Sequence, residues 1–232
     1  MRLAPSFRKP MPGTLSSTGR LAIATAVLAV ALGASYAPRM LWPQNSGAAR
    51  DAWQHPGQVL DELGVRTGDV VADVGCGKGY FTRRLAQRVG PTGKVYAVDL
   101  RRRLLTELKQ RATSEHMPQI VTVVGAPDDP RLPAAALDVV FAMNTYHEWR
   151  QHSEMLQHIL AALKPGGTFA LIDGKAAPGE PRSYYYEMHR MPEALERSEA
   201  TAAGFVYLHD EPGFTQPDEN KTFYFMVFKK PN

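Results

Sequence analysis

Val70-Val71-Ala72-Asp73-Val74-Gly75-Cys76-Gly77-Lys78-Gly79-Tyr80-Phe81 runs from an apolar stretch through three alternate glycines into a helix predicted over Phe81–Val89. Glycine has no Cβ and tolerates positive φ, so a backbone of this kind can lie directly against a ligand. The helix that follows aims its free amides at whatever sits above the strand end. A second strand, Lys94–Asp99, closes on a carboxylate twenty positions after Gly79. Strand, glycine turn, helix, strand and terminal acid make a nucleoside-binding half-fold, in which the acid accepts from ribose hydroxyls.

The dinucleotide fingerprint G-x-G-x-x-G requires glycine at position 80, where this chain has Tyr80. The third glycine comes one residue early, giving G-x-G-x-G preceded by Asp73. That turn resembles the first motif of class I S-adenosylmethionine-dependent methyltransferases. The resemblance implies S-adenosylmethionine as cofactor, with Asp73, Gly75, Cys76, Gly77, Gly79, Tyr80 and Phe81 around its methionine end. It puts Asp99 on the ribose and Leu100 beside it. Trp53, ahead of the first helix, falls where related enzymes fold a lid over the cofactor. The runs around Trp53 and Tyr146-His147-Glu148 are similar to small methyltransferases related to the quinone-biosynthesis C-methylating enzymes.

The rest of the chain alternates helix and strand in an α/β order. Helices are predicted over 57–63, 102–115, 148–163 and 192–203, and strands over 120–124, 137–143, 168–172, 205–209 and 222–229. The resemblance implies one Rossmann-like seven-stranded sheet, order 3-2-1-4-5-7-6 with the last strand antiparallel, over residues 51–232. Leu137–Met143 is an unbroken apolar run after Asp138, as a strand buried on both faces should be. Lys164-Pro165-Gly166-Gly167 reads as the break between a helix and the fifth strand.

Ligands in such sheets sit beyond the carboxyl ends of the strands where the strand order reverses. Related methyltransferases place an acid directly after the glycine of the third-strand loop, where it accepts from adenine. Here that position is Ala126, which leaves Asp128 or Asp129 for the role. The fourth-strand loop, Asn144-Thr145-Tyr146-His147-Glu148-Trp149, is polar and falls where methyltransferases put catalytic groups. His147 is the candidate base, with Tyr146 and Glu148 orienting it or binding the acceptor, and Asn144 at the cofactor. His189, in the long segment after the fifth strand, would face the acceptor. Tyr184, Tyr185 and Tyr186 in the same segment point to a small hydrophobic or aromatic acceptor.

No metal ligand is assigned. A zincin helix needs a second histidine four residues after the first, whereas His152 lies five beyond His147, about 140° away around the helix. Asp173 near the fifth strand would suit a cation in a metal-dependent O-methyltransferase, but no acid cluster accompanies it. Two other readings stand beside methyl transfer. One is an NAD-dependent oxidoreductase, disfavoured by Tyr80. The other is a non-catalytic nucleoside-binding protein of the envelope.

Composition bounds the partners. The net charge of +4 comes from four basic residues within 1–37, and the remainder balances 23 basic against 23 acidic residues. No nucleic-acid footprint is therefore expected. Cys76 is the single cysteine, so no intrachain disulfide is available, and the small residue reads as packing under the cofactor. Residues 1–37 combine a basic stretch, an apolar run over 21–32 and a small-residue tail. That pattern predicts a signal peptide or N-terminal membrane anchor, with association through residues 21–37 and a place in the cell envelope, cytoplasmic being the alternative. Residues 38–50 read as a linker. Nothing in the sequence sets an oligomeric state.

Overall fold

The structure, a computed structural model, describes residues 50–52, 54–212, 217–218 and 221–232. The predicted leader, residues 38–49 of the linker, and Trp53 lie outside the described residues, while Arg50, the last residue of the expected linker, is helical together with residues 51–52. Among the described residues no helix is long and apolar enough to cross a membrane.

Helix α1 (Pro56–Glu62) leads into strand β1 (Val70–Val74), and α2 (Tyr80–Val89) into β2 (Lys94–Asp99). Helix α3 (Arg102–Ser114), β3 (Ile120–Val124) and β4 (Leu137–Met143) follow. After them come a 3-10 turn (Tyr146–Glu148), α4 (His152–Ala162), β5 (Leu163–Gly174), α5 (Arg182–Met188), α6 (Glu193–Ala202), β6 (Val206–Asp210) and β7 (Lys221–Lys229). The long strands run in the order β3-β2-β1-β4-β5-β7-β6, and a two-residue arm, Pro217–Asp218, pairs with the start of β7. The first five strands are parallel neighbours, and β7 enters antiparallel beside β5, with Phe169 opposite Phe228. This is the Rossmann-like seven-stranded sheet expected from the sequence.

Successive residues of the central strands face opposite layers. Val71, Val95, Val139, Phe141 and Ile172 pack with Phe81, Leu85 and Val89 of α2. Their neighbours Ala72, Val74, Val140, Ala142 and Leu171 pack with Leu156 and Ile159 of α4 and Ala200 of α6. Burial on both faces explains why β1 and β4 are almost wholly apolar, with Asp73 and Asp138 as the exceptions. A fully buried leucine such as Leu85 is worth about 1.5–3 kcal/mol of transfer free energy.

Beyond shifts of a residue or so at element ends, three features differ from the sequence-based expectation. The helix expected over 148–163 starts only at His152, because Tyr146–Glu148 forms a 3-10 turn and Trp149 is extended. The Lys164–Gly167 breaker does not precede β5 but sits inside it as a bulge: Leu137 pairs with Leu163, and Val139 then pairs with Thr168. The long segment after β5 carries helix α5, packed through Tyr185, whose hydroxyl donates to Ala177 O (3.1 Å) and accepts from the Glu180 amide (2.9 Å).

Candidate active site

The glycine turn between β1 and α2 forms the floor of a crevice at the carboxyl ends of β1, β2 and β4. Gly75, Gly77 and Gly79 all have positive φ, at 78°, 55° and 82°. At Gly75 space is limiting as well, since a Cβ would meet Thr145 Cβ at 2.6 Å. That contact presses the β4 loop onto the β1 turn and brings the two halves of the crevice together. The amides of Gly75 and Cys76 both donate to Val98 O at 2.9 Å, which ties the turn to β2.

Asp73 is buried at the end of β1, and its Oδ2 accepts from Thr82 Oγ1 at 2.5 Å. Burial pushes its carboxyl up to about 6 against the opposing pull of the Thr82 hydroxyl and amide. Asp99, at the end of β2, accepts four hydrogen bonds. Oδ1 takes the Arg101 amide and Nε, both at 2.9 Å, and Oδ2 takes the Gly77 amide at 2.9 Å and Arg101 Nη2 at 3.0 Å. Burial opposes its ionisation, but these donors outweigh it and hold the carboxyl below the ordinary range.

At the other pole, His147 is fully buried between β4 and β5. Its amide donates to Asp173 Oδ2 (3.0 Å), and Nδ1 lies 2.8 Å from Asp173 Oδ1. Asp173, also fully buried, accepts the Gly174 amide at 2.7 Å. A carboxylate placed this way only accepts, so Nδ1 carries the proton and Nε2 presents a lone pair. That lone pair faces His189 Nδ1 at 3.2 Å, with Glu148 Oε1 at 3.9 Å. His147, Trp149, Arg150, Arg182, Ser183, Tyr186 and Glu187 line a cleft of about 210 Å³. Arg150 stacks over the Tyr186 ring at 4.4 Å, and Arg182 pairs with Glu199.

Residues 71–167 match the family described as a methyltransferase domain. The ubiquinone/menaquinone biosynthesis C-methyltransferase UbiE of Chromobacterium violaceum is 30% identical over 150 residues, 62% of this chain and 57% of that protein. The 2-phytyl-1,4-naphtoquinone methyltransferase of Trichormus variabilis is 34% identical over 119 residues, 47% of this chain and 48% of that one. A solved SAM-dependent methyltransferase from Aquifex aeolicus shares the fold at a TM-score of 0.66, with 22% identity over 78% of this chain and 93% of its own. Residues 71–167 thus match a methyltransferase domain, and the fold is that of an S-adenosylmethionine-dependent methyltransferase. The chain spans about half the length of those two curated relatives.

Several of the expected site residues make contacts of their own within the protein. The Phe81 ring is buried in the core, 5.0 Å edge-on from Phe141. Tyr80 turns towards the N-terminal helix, its ring between the guanidinium groups of Arg50 and Arg84 and its hydroxyl donating to Asp51. Tyr146 is drawn away from His147 because its buried hydroxyl donates to Glu199 Oε2 at 2.6 Å on α6. It therefore packs the turn and has no free hydroxyl for the acceptor.

Cys76 is buried, and burial pushes its thiol up, which leaves it inert packing. Asp129 Oδ1 accepts from the Arg131 amide at 2.7 Å and so closes its own turn, while Asp128 makes no hydrogen bond among the described residues. Leu100 stands 55% exposed beside Asp99, and Asn144 is exposed at the end of β4 in the left-handed region, φ 52°.

Sequence reasoning missed Glu196 and the role of Asp173. Glu196 is fully buried on α6; burial pushes its carboxyl well above the usual range, and the nearby Asp173 adds to the shift. A lone glutamate inside the helix predicted over 192–203 carries no local signal of that burial. Asp173 at the end of an apolar strand did stand out, but its partner His147 is 26 residues away.

Proposed function

We propose that this methyltransferase transfers the methyl group of S-adenosylmethionine to a small aromatic or hydrophobic acceptor, by in-line displacement. The observation that carries the reading is the buried Asp173–His147 pair opening into a cleft while Thr145, two residues earlier, touches the glycine turn. The cofactor supplies the reactive sulfonium when bound, and the protein supplies geometry. Asp73 and the Gly75–Gly79 backbone would hold its amino-acid end, and Asp99 its ribose. Because Asp99 already accepts four hydrogen bonds, the ribose has to displace the Arg101 guanidinium, whose side chain is 65% exposed and free to swing out. Leu100 offers the adjacent apolar surface, and Asp128 the acceptor for adenine.

His147 acts as the base. Its Nε2 takes the proton that an acceptor hydroxyl or enolisable carbon must lose, and Asp173 holds the ring in the correct tautomer. Trp149 and Tyr186 give the cleft aromatic walls, and Arg150 stacked on Tyr186 favours an acceptor that carries negative charge as it ionises. The two curated relatives are named for quinone biosynthesis and for a naphtoquinone, which fits a small aromatic or hydrophobic acceptor. The leader is proposed to deliver the domain to the cell envelope, which fractionation of cells producing the full chain would test.

Isothermal titration with S-adenosylmethionine, S-adenosylhomocysteine and NADH tests the cofactor assignment. Heat from the first two and none from NADH is expected; the reverse would replace the proposal with hydride chemistry. Methyl-labelled cofactor added with the enzyme to extract from a deletion strain should then label a small apolar product.

A further inference from the structure

We infer that His147, His189 and Glu148 form a binding site for one divalent cation of the zinc type. The inference rests on the methyltransferase reading only for what the cation would do, not for whether it binds. His147 Nε2 and His189 Nδ1 are 3.2 Å apart. Two nitrogens that share a tetrahedral zinc at about 2.0–2.1 Å sit roughly 3.3 Å from each other. The imidazole pair thus already has ligand spacing. Glu148 Oε1 is 3.9 Å from Nε2, and the three ligand atoms lie within 4.8 Å of one another. A half-exposed glutamate closes the remaining fraction of an ångström by side-chain rotation.

The surroundings of His147 are those of a ligand. Asp173 holds Nδ1–H from behind, so the Nε2 lone pair is aimed outward, and a carboxylate backing an imidazole is the usual orienting device of metal-bound histidines. Two imidazoles and one carboxylate suit zinc or a similar transition metal, whereas magnesium and calcium prefer all-oxygen sets. His147 is buried, while Glu148 and His189 are exposed, so a bound cation keeps positions open towards the cleft. An open position is the mark of a reactive site rather than a structural one.

A cation here selects a hydroxylated acceptor. The bound hydroxyl loses its proton to solvent, and its oxygen pair forms the new bond to the methyl carbon. The carbon–sulfur bond breaks, and its electron pair returns to sulfur as the neutral thioether. His147 Nε2 then holds the cation, and the cation replaces it in lowering the acceptor's pKa.

The test is chelator-stripped, untagged full-length protein titrated with Zn²⁺ by calorimetry, and with Co²⁺ by visible absorption. One equivalent of each should bind, with cobalt bands typical of low coordination number. H147Q, E148Q and H189N should each weaken zinc binding at least roughly tenfold, and D173N by about 10–100-fold. Asparagine is chosen at position 189 because His189 has φ 51°, which asparagine tolerates. H209A, in a second cluster with Glu62 and Glu211, should leave the stoichiometry unchanged. No zinc binding, binding equal in wild type and H189N, or binding abolished by H209A would each overturn the inference. In that case the 3.2 Å contact is simply an N–H···N hydrogen bond. Titration of the metal-free protein with S-adenosylmethionine separates the two claims. Cofactor binding without zinc binding sinks this site alone, and zinc binding without cofactor binding sinks the methyltransferase proposal alone.

Discussion

Asp73 and Asp99 titrate in opposite senses, and the signs follow from their partners. Asp73 ionises at 3.8 when unfolded and at about 6 when folded, so between those values the native state holds more protons. Its contribution to stability therefore falls as pH rises through that window, and above it the buried charge costs about 3 kcal/mol. Asp99 is held below its ordinary value, so its contribution is present at neutral pH and lost as pH falls through the acid range. D73N is expected to raise the thermal midpoint at pH 8 but scarcely at pH 4, and to weaken cofactor binding at both. Scanning fluorimetry at the two pH values checks this; an equal shift at both would show that burial of the charge is not what raises the group. At the other pole, H147Q should lower kcat by about 10²–10⁴-fold with the cofactor Kd little changed, read from initial rates and calorimetry. A loss confined to KM would remove His147 from the chemistry.

Among the elements, the β1 turn and the β4 loop depend on each other through Gly75 and Thr145. G75A places a Cβ where Thr145 stands and imposes φ 78° on a residue that avoids it. A loss on the order of 2–4 kcal/mol is expected in denaturant unfolding. T145G should recover the steric part only, giving a positive coupling in the double-mutant cycle; strict additivity would refute the contact. L85A, in the buried stripe of α2, should cost about 2–5 kcal/mol without altering the chemistry, measured by the same unfolding.

For the whole molecule, cofactor binding should stabilise the fold by mass action. With S-adenosylmethionine at a hundred times its Kd, about 2.7 kcal/mol is expected, seen as a rise in Tm that D99A abolishes. A rise undiminished in D99A would move the ribose elsewhere. The same scale shows what was legible in advance. Strand, glycine turn, helix and acid follow one another within 30 residues, from Val70 to Asp99, and each carries a local signature. Their placement was therefore readable. The turn at Tyr146–Glu148 was not, because the His147–Asp173 contacts that pull the chain away from a helix reach across to β5. The orientation of Tyr146 and Phe81 is illegible for a related reason: residue type and position cannot say which way a ring points when both the core and the crevice lie within reach.

The sequence by itself determined the central strands, the glycine turn and the acid that closes β2, because apolar periodicity and glycine conformation act between near neighbours. Only the tertiary structure decided that His189 meets His147 from 42 residues away, that Arg101 covers Asp99 and that Asp173 stands behind the imidazole. Those contacts depend on strand order and loop path. Sums of many weak packing terms set both, and no short stretch of chain encodes them.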